Sequence, residues 1–257
     1  RLVEGDNNWL VDAVSEYFNS KDRLSYTLLE GMSDPYEFLK RNILGIEEPR
    51  AKALRIGTYV HKMAEMRFNG ELDENAIEKK YVTYLMNIKE IDEEARKSFK
   101  VSQTSAEYPF EVPLELMFNG IKEKGLFFKG KLDAVYESED GKHYLILDWK
   151  TDRNDGSASL HRRQLAVYRR AYAIDKKIDE YSIDVALGFV GLKGNIDTGR
   201  MDCKLDASKP KKGQLETFGK RVEKFIEYRN NPRKFLEDVA DKNNEEPLYS
   251  RIKGLIG

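Results

Sequence analysis

The chain has 257 residues, 40% of them hydrophobic and 35% charged, with a formal net charge of −1. That length buries a core without staples, the composition excludes a disordered or fibrous chain, and no apolar run approaches the ~18 residues of a membrane span. The single cysteine, Cys203, excludes an internal disulfide and any cysteine-built zinc or iron–sulfur site, which fits a reducing, cytoplasmic setting.

Arg1 opens the chain ahead of a polar stretch, so no signal peptide is expected and the chain reads as processed or cut from a larger protein. Residues 1–105 read as mainly helical. "NWLVDAVSEYF" has helical spacing, and "SYTLLEGMSDPYEFLKRNILGI" reads as two short helices, the second capped by Ser33 or Asp34 with Pro35 in its first turn. "ALRIGTYVHKMAEMRFNG" is a helix stopped by Gly70, and residues 74–100 form a long charged helix or pair of helices. The pattern then changes to strand-like runs, "YPFEVPLELMF", "GLFFKGKLDAVYE" and "HYLILDWKTD", with turns at Asn119-Gly120 and Asp140-Gly141. A basic helix is expected over about residues 159–174, then strands in "YSIDVALGFVGL" and "GRMDCKLD", then a helix ending before Pro232 and an irregular tail. The expected fold is α/β, a mixed sheet flanked by helices with a helical N-terminal region. The domain reading is a single domain over 1–257: a helical region to 105, an α/β core over 106–205, and a C-terminal helix and tail over 206–257.

The near-neutral total hides segregation. Residues 71–94 carry eight acids against three bases, residues 161–177 six bases against one acid, and residues 209–234 nine bases against three acids. Basic stripes of this kind suit phosphate contact, and they also suit solvated helix faces.

One stretch carries a sharper signal. In "LILDWKTD" an apolar strand ends on Asp148 and Lys150, which alternation puts on one face while Leu147 and Trp149 point to the other. Three further acid-x-lysine triplets, Glu78–Lys80, Asp140–Lys142 and Asp175–Lys177, lie in polar surface segments and need no explanation. A buried charge does, because it must be paired or bind a metal. Asp133, in "KGKLDAVY", lies fifteen positions before Asp148 across a hairpin-like unit. Two converging carboxylates beside a lysine make a hard-cation site; the plainer alternative is a buried Asp148–Lys150 ion pair with Asp133 elsewhere.

The arrangement G-K-L-D133 followed by D148-W-K150-T-D152 resembles the PD-(D/E)XK nuclease superfamily, and within it the RecB-like branch. That branch has a helix with Q-x-x-x-Y after the lysine strand, here "QLAVY" with Gln164 and Tyr168, and an upstream G-x-x-x-H, here "GTYVH" with His61. Iron–sulfur members place a cysteine just before the upstream proline; here the residue is Asp34, so no iron–sulfur cluster is expected.

The resemblance implies a restriction-endonuclease-like core and hydrolysis of phosphodiester bonds. Asp133, Asp148 and Lys150 become the catalytic residues. Asp133, Asp148, the Trp149 carbonyl and His61 become the metal ligands, for Mg²⁺ or Mn²⁺. Gln164, Tyr168, Arg162 and Arg163 become cleft and DNA-binding residues, with Arg169 and Arg170 as further phosphate contacts of which only one can face the cleft. Helix–sheet packing is the competing role for Tyr168. The implied function is a metal-dependent DNA exonuclease acting with a helicase module, in the same chain or complex, in repair or recombination, with DNA as partner and no membrane. The alternatives are a free-standing phage-type or CRISPR-adaptation exonuclease, or a non-catalytic DNA-binding domain, which three intact catalytic positions disfavour. Asp152 reads as a contact for the lysine or a cap, and His143 and His161 carry no assigned role.

Overall fold

The structure is a computed structural model that describes residues 9–46, 52–194, 200–241, 249–250 and 254. The chain divides into two compact units, each assembled from separated segments: 1–49, 113–129 and 216–257 in the first, 50–112 and 130–215 in the second.

The first unit holds helices α1 (Trp9–Asn19), α2 (Tyr26–Gly31), α3 (Pro35–Phe38) and α6 (Leu114–Met117), most of α8 (Lys212–Asn230), and α9 (Pro232–Ala240). Ser25 caps α2 by accepting from Leu28 N–H, and Asp34 caps α3 by accepting from Glu37 N–H, with Pro35 at the first helical position. The helices close on rings. Phe18 meets Phe38, Phe225, Tyr228 and Phe235 at centroid distances of 5.3–6.0 Å, and Tyr26 stacks on Phe218 at 5.1 Å. Strand β1 is only Arg23–Leu24 and pairs in parallel with Phe127 and Phe128, the first residues of β3 (Phe127–Glu137).

Two expectations fail here. The segment after Pro232 is helical at first, because Pro232 presets the first turn and Phe235, Leu236 and Val239 recur on one buried face; its continuation past Asp241 lies largely outside the described residues. Leu114–Met117, expected as strand, is one helical turn that buries Leu114 and Met117.

The second unit is the α/β core. Its helices are α4 (Lys52–Asn69), α5 (Val82–Phe99) and α7 (Ala158–Lys176). Two 3₁₀ turns precede α5, so the charged stretch 74–100 is one long helix with a turned approach. The strands are β2 (Ser102–Pro113), the later part of β3, β4 (Tyr144–Lys150), β5 (Ile183–Leu192) and β6 (Asp202–Asp206). The sheet is mixed: β3–β4 and β5–β6 are antiparallel, β4–β5 is parallel, and β2 pairs with β3.

Strand β4 forms because Leu145, Ile146 and Leu147 are buried on both faces, each contributing roughly 1.5–3 kcal/mol by leaving water. Leu145, Leu147 and Trp149 join Val60, Met63, Tyr84 and Ile88 from α4 and α5 in one apolar cluster. Alternation leaves Asp148 and Lys150 on the opposite face, as expected. Gly188 stands beside Trp149 in the register, and a Cβ there would lie 2.8 Å from the indole ring; an alanine would push the ring and the strand end that carries the site. Among the described residues, no helix is long and apolar enough to cross a membrane.

Candidate metal centre

The β3–β4 ladder runs from Glu137↔Tyr144 to Ala134↔Leu147, so Asp133 and Asp148 come next in register. There the carboxylate replaces the backbone: Asp133 Oδ2 accepts from Trp149 N–H at 2.8 Å. Its other oxygen faces His61, 3.2 Å from Nδ1. His61 lies on α4 one turn beyond Gly57, whose position faces the Thr151 hydroxyl just past β4, so the G-x-x-x-H face of the helix lies against the end of β4.

Asp148 is 5% exposed. The Lys150 ammonium reaches its Oδ2 at 2.6 Å, so the two form a buried ion pair. A buried carboxylate is costly unless such partners offset its charge.

A further carboxylate joins the centre. Ligand atoms of His61, Glu107 and Asp133 all lie within 4.8 Å of one another, the group of three among the described residues that could hold an ion. Glu107 was absent from the sequence reading, and Asp148 is absent from this tight group. Glu107 sits in β2 with a left-handed backbone, φ 48°, rare for a side-chain-bearing residue. Strain of that kind concentrates at functional sites. Lys131 lies 3.5 Å from the Glu107 carboxylate.

The electrostatics are mutual. Burial lowers the His61 pKa, but the hydrogen bond and charge of Asp133, with Asp148 behind it, outweigh burial and lift it to about 9. Burial raises Asp133, but His61, Lys150 and the Trp149 N–H hold it below the usual carboxylate range. Asp148 goes the other way: burial lifts it to about 6, opposed by Lys150 and aided by the Asp133 charge. Burial lowers the Lys150 pKa, but Asp148 and then Asp133 more than offset this. Seating a cation on His61 here would mean displacing its proton.

The other expected site residues divide. Gln164 donates to Tyr168 Oη at 3.0 Å, one turn apart on α7. Burial raises the Tyr168 hydroxyl to about 12, with the Asp148 and Asp133 charges contributing, so it lies near the centre. It also packs edge-on against Phe110 at 5.4 Å, the helix–sheet packing weighed as its competing role. Arg162 is bound to Asp206 in an ion pair, so its guanidinium is engaged at home. Arg169 donates to the Glu180 carbonyl and Arg170 to the Glu180 carboxylate, so both tie the 3₁₀ turn Glu180–Ser182. Arg163 lies beside Arg162 on α7. Most acids of the run 71–94 are paired: Glu74 with Lys89, Glu78 with Lys80, Glu90 with Arg200, Asp92 with Arg67 and Arg96, and Glu93 with Lys97.

The donor set fits a divalent cation. It offers carboxylate oxygens and one imidazole, with the buried Asp148 carboxylate nearby. These features gather carboxylates, an imidazole and a lysine where β3 and β4 meet in the mixed sheet, a set that could hold a metal ion. The model of the PD-(D/E)XK nuclease superfamily matches residues 23–246, and the chain belongs to that superfamily, whose members are metal-dependent nucleases. No curated protein matches the chain. Among solved structures, "Crystal structure of SSO0001" is 14% identical and aligns over 89% of this chain and 90% of that one with a TM-score of 0.39.

Proposed function

We propose that the protein is a deoxyribonuclease of the RecB-like branch, hydrolysing phosphodiester bonds from DNA ends with Mg²⁺ or Mn²⁺. The observation that carries this reading is the convergence of His61, Glu107 and Asp133 beside the Asp148–Lys150 strand end. Asp133, Asp148 and His61 are the proposed ligands, with the Trp149 carbonyl, and Glu107 joins them on the opposite strand. When bound, the cation supplies positive charge that acidifies water and offsets charge on the phosphate. Lys150 supplies a point charge to the attacking water or the phosphate. Tyr168, steadied by Gln164, lines the same cleft. Trp149 N–H holds the Asp133 carboxylate in place, and the buried strand is the rigid mount.

A helicase module as partner and a role in repair or recombination follow from the branch resemblance, and a cytoplasmic setting from the single cysteine. The basic segments at 161–177 and 209–234 are the proposed DNA contacts, and Arg162 and Arg163 serve there once DNA phosphates compete with Asp206.

The test is cleavage of end-labelled single- and double-stranded DNA with Mg²⁺, Mn²⁺ or EDTA. Stepwise shortening from an end, abolished by EDTA, is the expected result. Salt-sensitive binding without cleavage under any metal would favour the non-catalytic DNA-binding alternative.

A further inference from the structure

The chain beyond Lys150 keeps the line of β4. Arg153 accepts a backbone hydrogen bond from Lys193 N–H at 2.9 Å. The Thr151 carbonyl oxygen lies 2.7 Å from where a Cβ on Gly191 would stand. Residues 151–153 are thus laid along the end of β5, and alternation sets Asp152 on the face of Asp148 and Lys150. Burial disfavours the Lys150 ammonium, while Asp148, Asp133 and then Asp152 favour it, so Asp152 is within electrostatic reach.

Asp152 is itself held. His161, in the first turn of α7, brings Nε2 to 3.2 Å from Asp152 Oδ2. The His161 ring stands 6.4 Å from Phe189, the register partner of Lys150. His161, Gln164 and Tyr168 are three and seven positions apart on α7, which puts them on one face. The carboxylates thus form a row, Asp148, Lys150's present partner, and Asp152, pinned from the helix.

A conflict follows from the row. A divalent cation and an ammonium repel each other, and both want Asp148. Lys150 has a flexible stem whose head can swing without moving the strand. We propose that Asp152 is the second berth of Lys150: when a divalent cation takes Asp148, the ammonium turns from Asp148 to Asp152, and His161 holds Asp152 in place to receive it. Asp152 and His161 are positioning residues on this account, acting through Lys150. The inference rests on the reading of the centre as a divalent-cation site.

The test is a thermodynamic cycle read as metal affinity. Mn²⁺ alone, without DNA, is titrated calorimetrically into the wild-type chain, Asp152→Asn, Lys150→Ala and the double variant, each first shown to melt cooperatively. With Lys150 present, Asp152→Asn is expected to weaken Mn²⁺ on the order of tenfold, because the ammonium stays on Asp148. In the Lys150→Ala background the same change is expected to have almost no effect. Asp152→Glu, which keeps the carboxylate, should recover most of the wild-type affinity, and His161→Ala should give a smaller loss that also needs Lys150. Equal weakening in both backgrounds would mean that Asp152 acts only as a nearby negative charge, and would overturn the proposal. So would no weakening in either. Failure of the centre itself looks different: the wild-type chain and all variants would then take up no Mn²⁺.

Discussion

Two sheltered carboxylates, Asp238 in the first unit and Asp148 in the second, are treated in opposite ways. In the first, Asp238 lies beside the aromatic core and is surrounded by donors. Tyr228 donates to Oδ2 at 2.7 Å, Lys224 reaches the same oxygen at 2.8 Å, and Lys234 reaches Oδ1 at 2.8 Å. Burial raises its pKa, but these partners more than reverse that and set it at about 2. In the second unit, Asp148 has a single ammonium, Lys150 at 2.6 Å, and another carboxylate nearby, and burial lifts it to about 6. Asp92, also in the second unit and 3% exposed, resembles Asp238: Arg67 at 3.2 Å, Arg96 at 3.1 Å and the Tyr136 hydroxyl at 2.9 Å complete it. Carboxylates that hold structure together are saturated by their own chain. The one on the strand end is left short of positive charge, which is what a cation site requires before it fills.

The largest effect should come from removing the unsaturated charge. Asp148→Asn is nearly isosteric and neutral, and should abolish metal binding and cleavage while leaving the unfolding midpoint within about 1 kcal/mol of wild type. Lys150→Ala should keep metal binding and lower turnover by at least ~10²-fold, the order for a positioned electrostatic group. A structural ion pair behaves otherwise: either change strands a buried partner and costs about 3–5 kcal/mol. Denaturant melts alongside single-turnover cleavage separate the cases. Large destabilisation in both variants, with cleavage kept by the folded fraction, would erase the contrast between Asp148 and Asp92.

Asp92 supplies the opposite limb. Asp92→Ala strands two guanidinium groups and the Tyr136 hydroxyl in and around the core of the second unit. Because Arg67 and Arg96 are 28% and 41% exposed, water recovers part of the loss. About 2–3 kcal/mol of stability should go, with cleavage per folded molecule close to wild type. A midpoint unchanged in urea would show that saturation by partners is not what marks a structural carboxylate here.

What the sequence made legible follows the range of each interaction. Asp148 and Lys150 were readable because a strand places i and i+2 together, and Gln164 and Tyr168 because a helix places i and i+4 together. Asp133 and His61 needed motif order as well, since their meeting at 3.2 Å joins β3 to α4 across 72 positions. Glu107 left no such trace. It reaches the centre through a left-handed backbone that nothing in "AEYPFE" announces. The engagement of Arg162 by Asp206, and of Arg169 and Arg170 by Glu180, was equally silent, because charge runs record composition and not partners. Helix α9 was hidden by its leading proline, which ends one helix and starts the next with equal ease.

The smallest expected effect concerns acid stability and sharpens the comparison at Asp238. Its folded pKa of about 2 lies below the ordinary aspartate value of 3.8, so the folded state holds the carboxylate ionised where the unfolded chain would protonate it. A depressed carboxylate adds stability that is present in full above the unfolded value and is lost as pH falls through the folded one. The window is therefore pH ~4 down to ~2, and the side chain, 13% exposed, is sheltered enough for the effect to survive solvent screening. A contribution of about 2 kcal/mol should disappear across that window. Urea midpoints at several pH values, compared between wild type and Asp238→Asn, isolate it. The variant should start less stable near neutral pH, and its deficit should shrink as acid protonates the wild-type carboxylate. Asp148, whose pKa is raised, cannot contribute in the same direction: ionised above about 6 in the fold but above about 4 in the unfolded chain, it favours folding only at lower pH. Asp148→Asn should accordingly leave the low-pH decline of the wild-type curve in place, whereas Asp238→Asn should flatten part of it. Parallel curves for wild type and Asp238→Asn from pH 5 to pH 2 would show that its three donors do not act as a saturating shell.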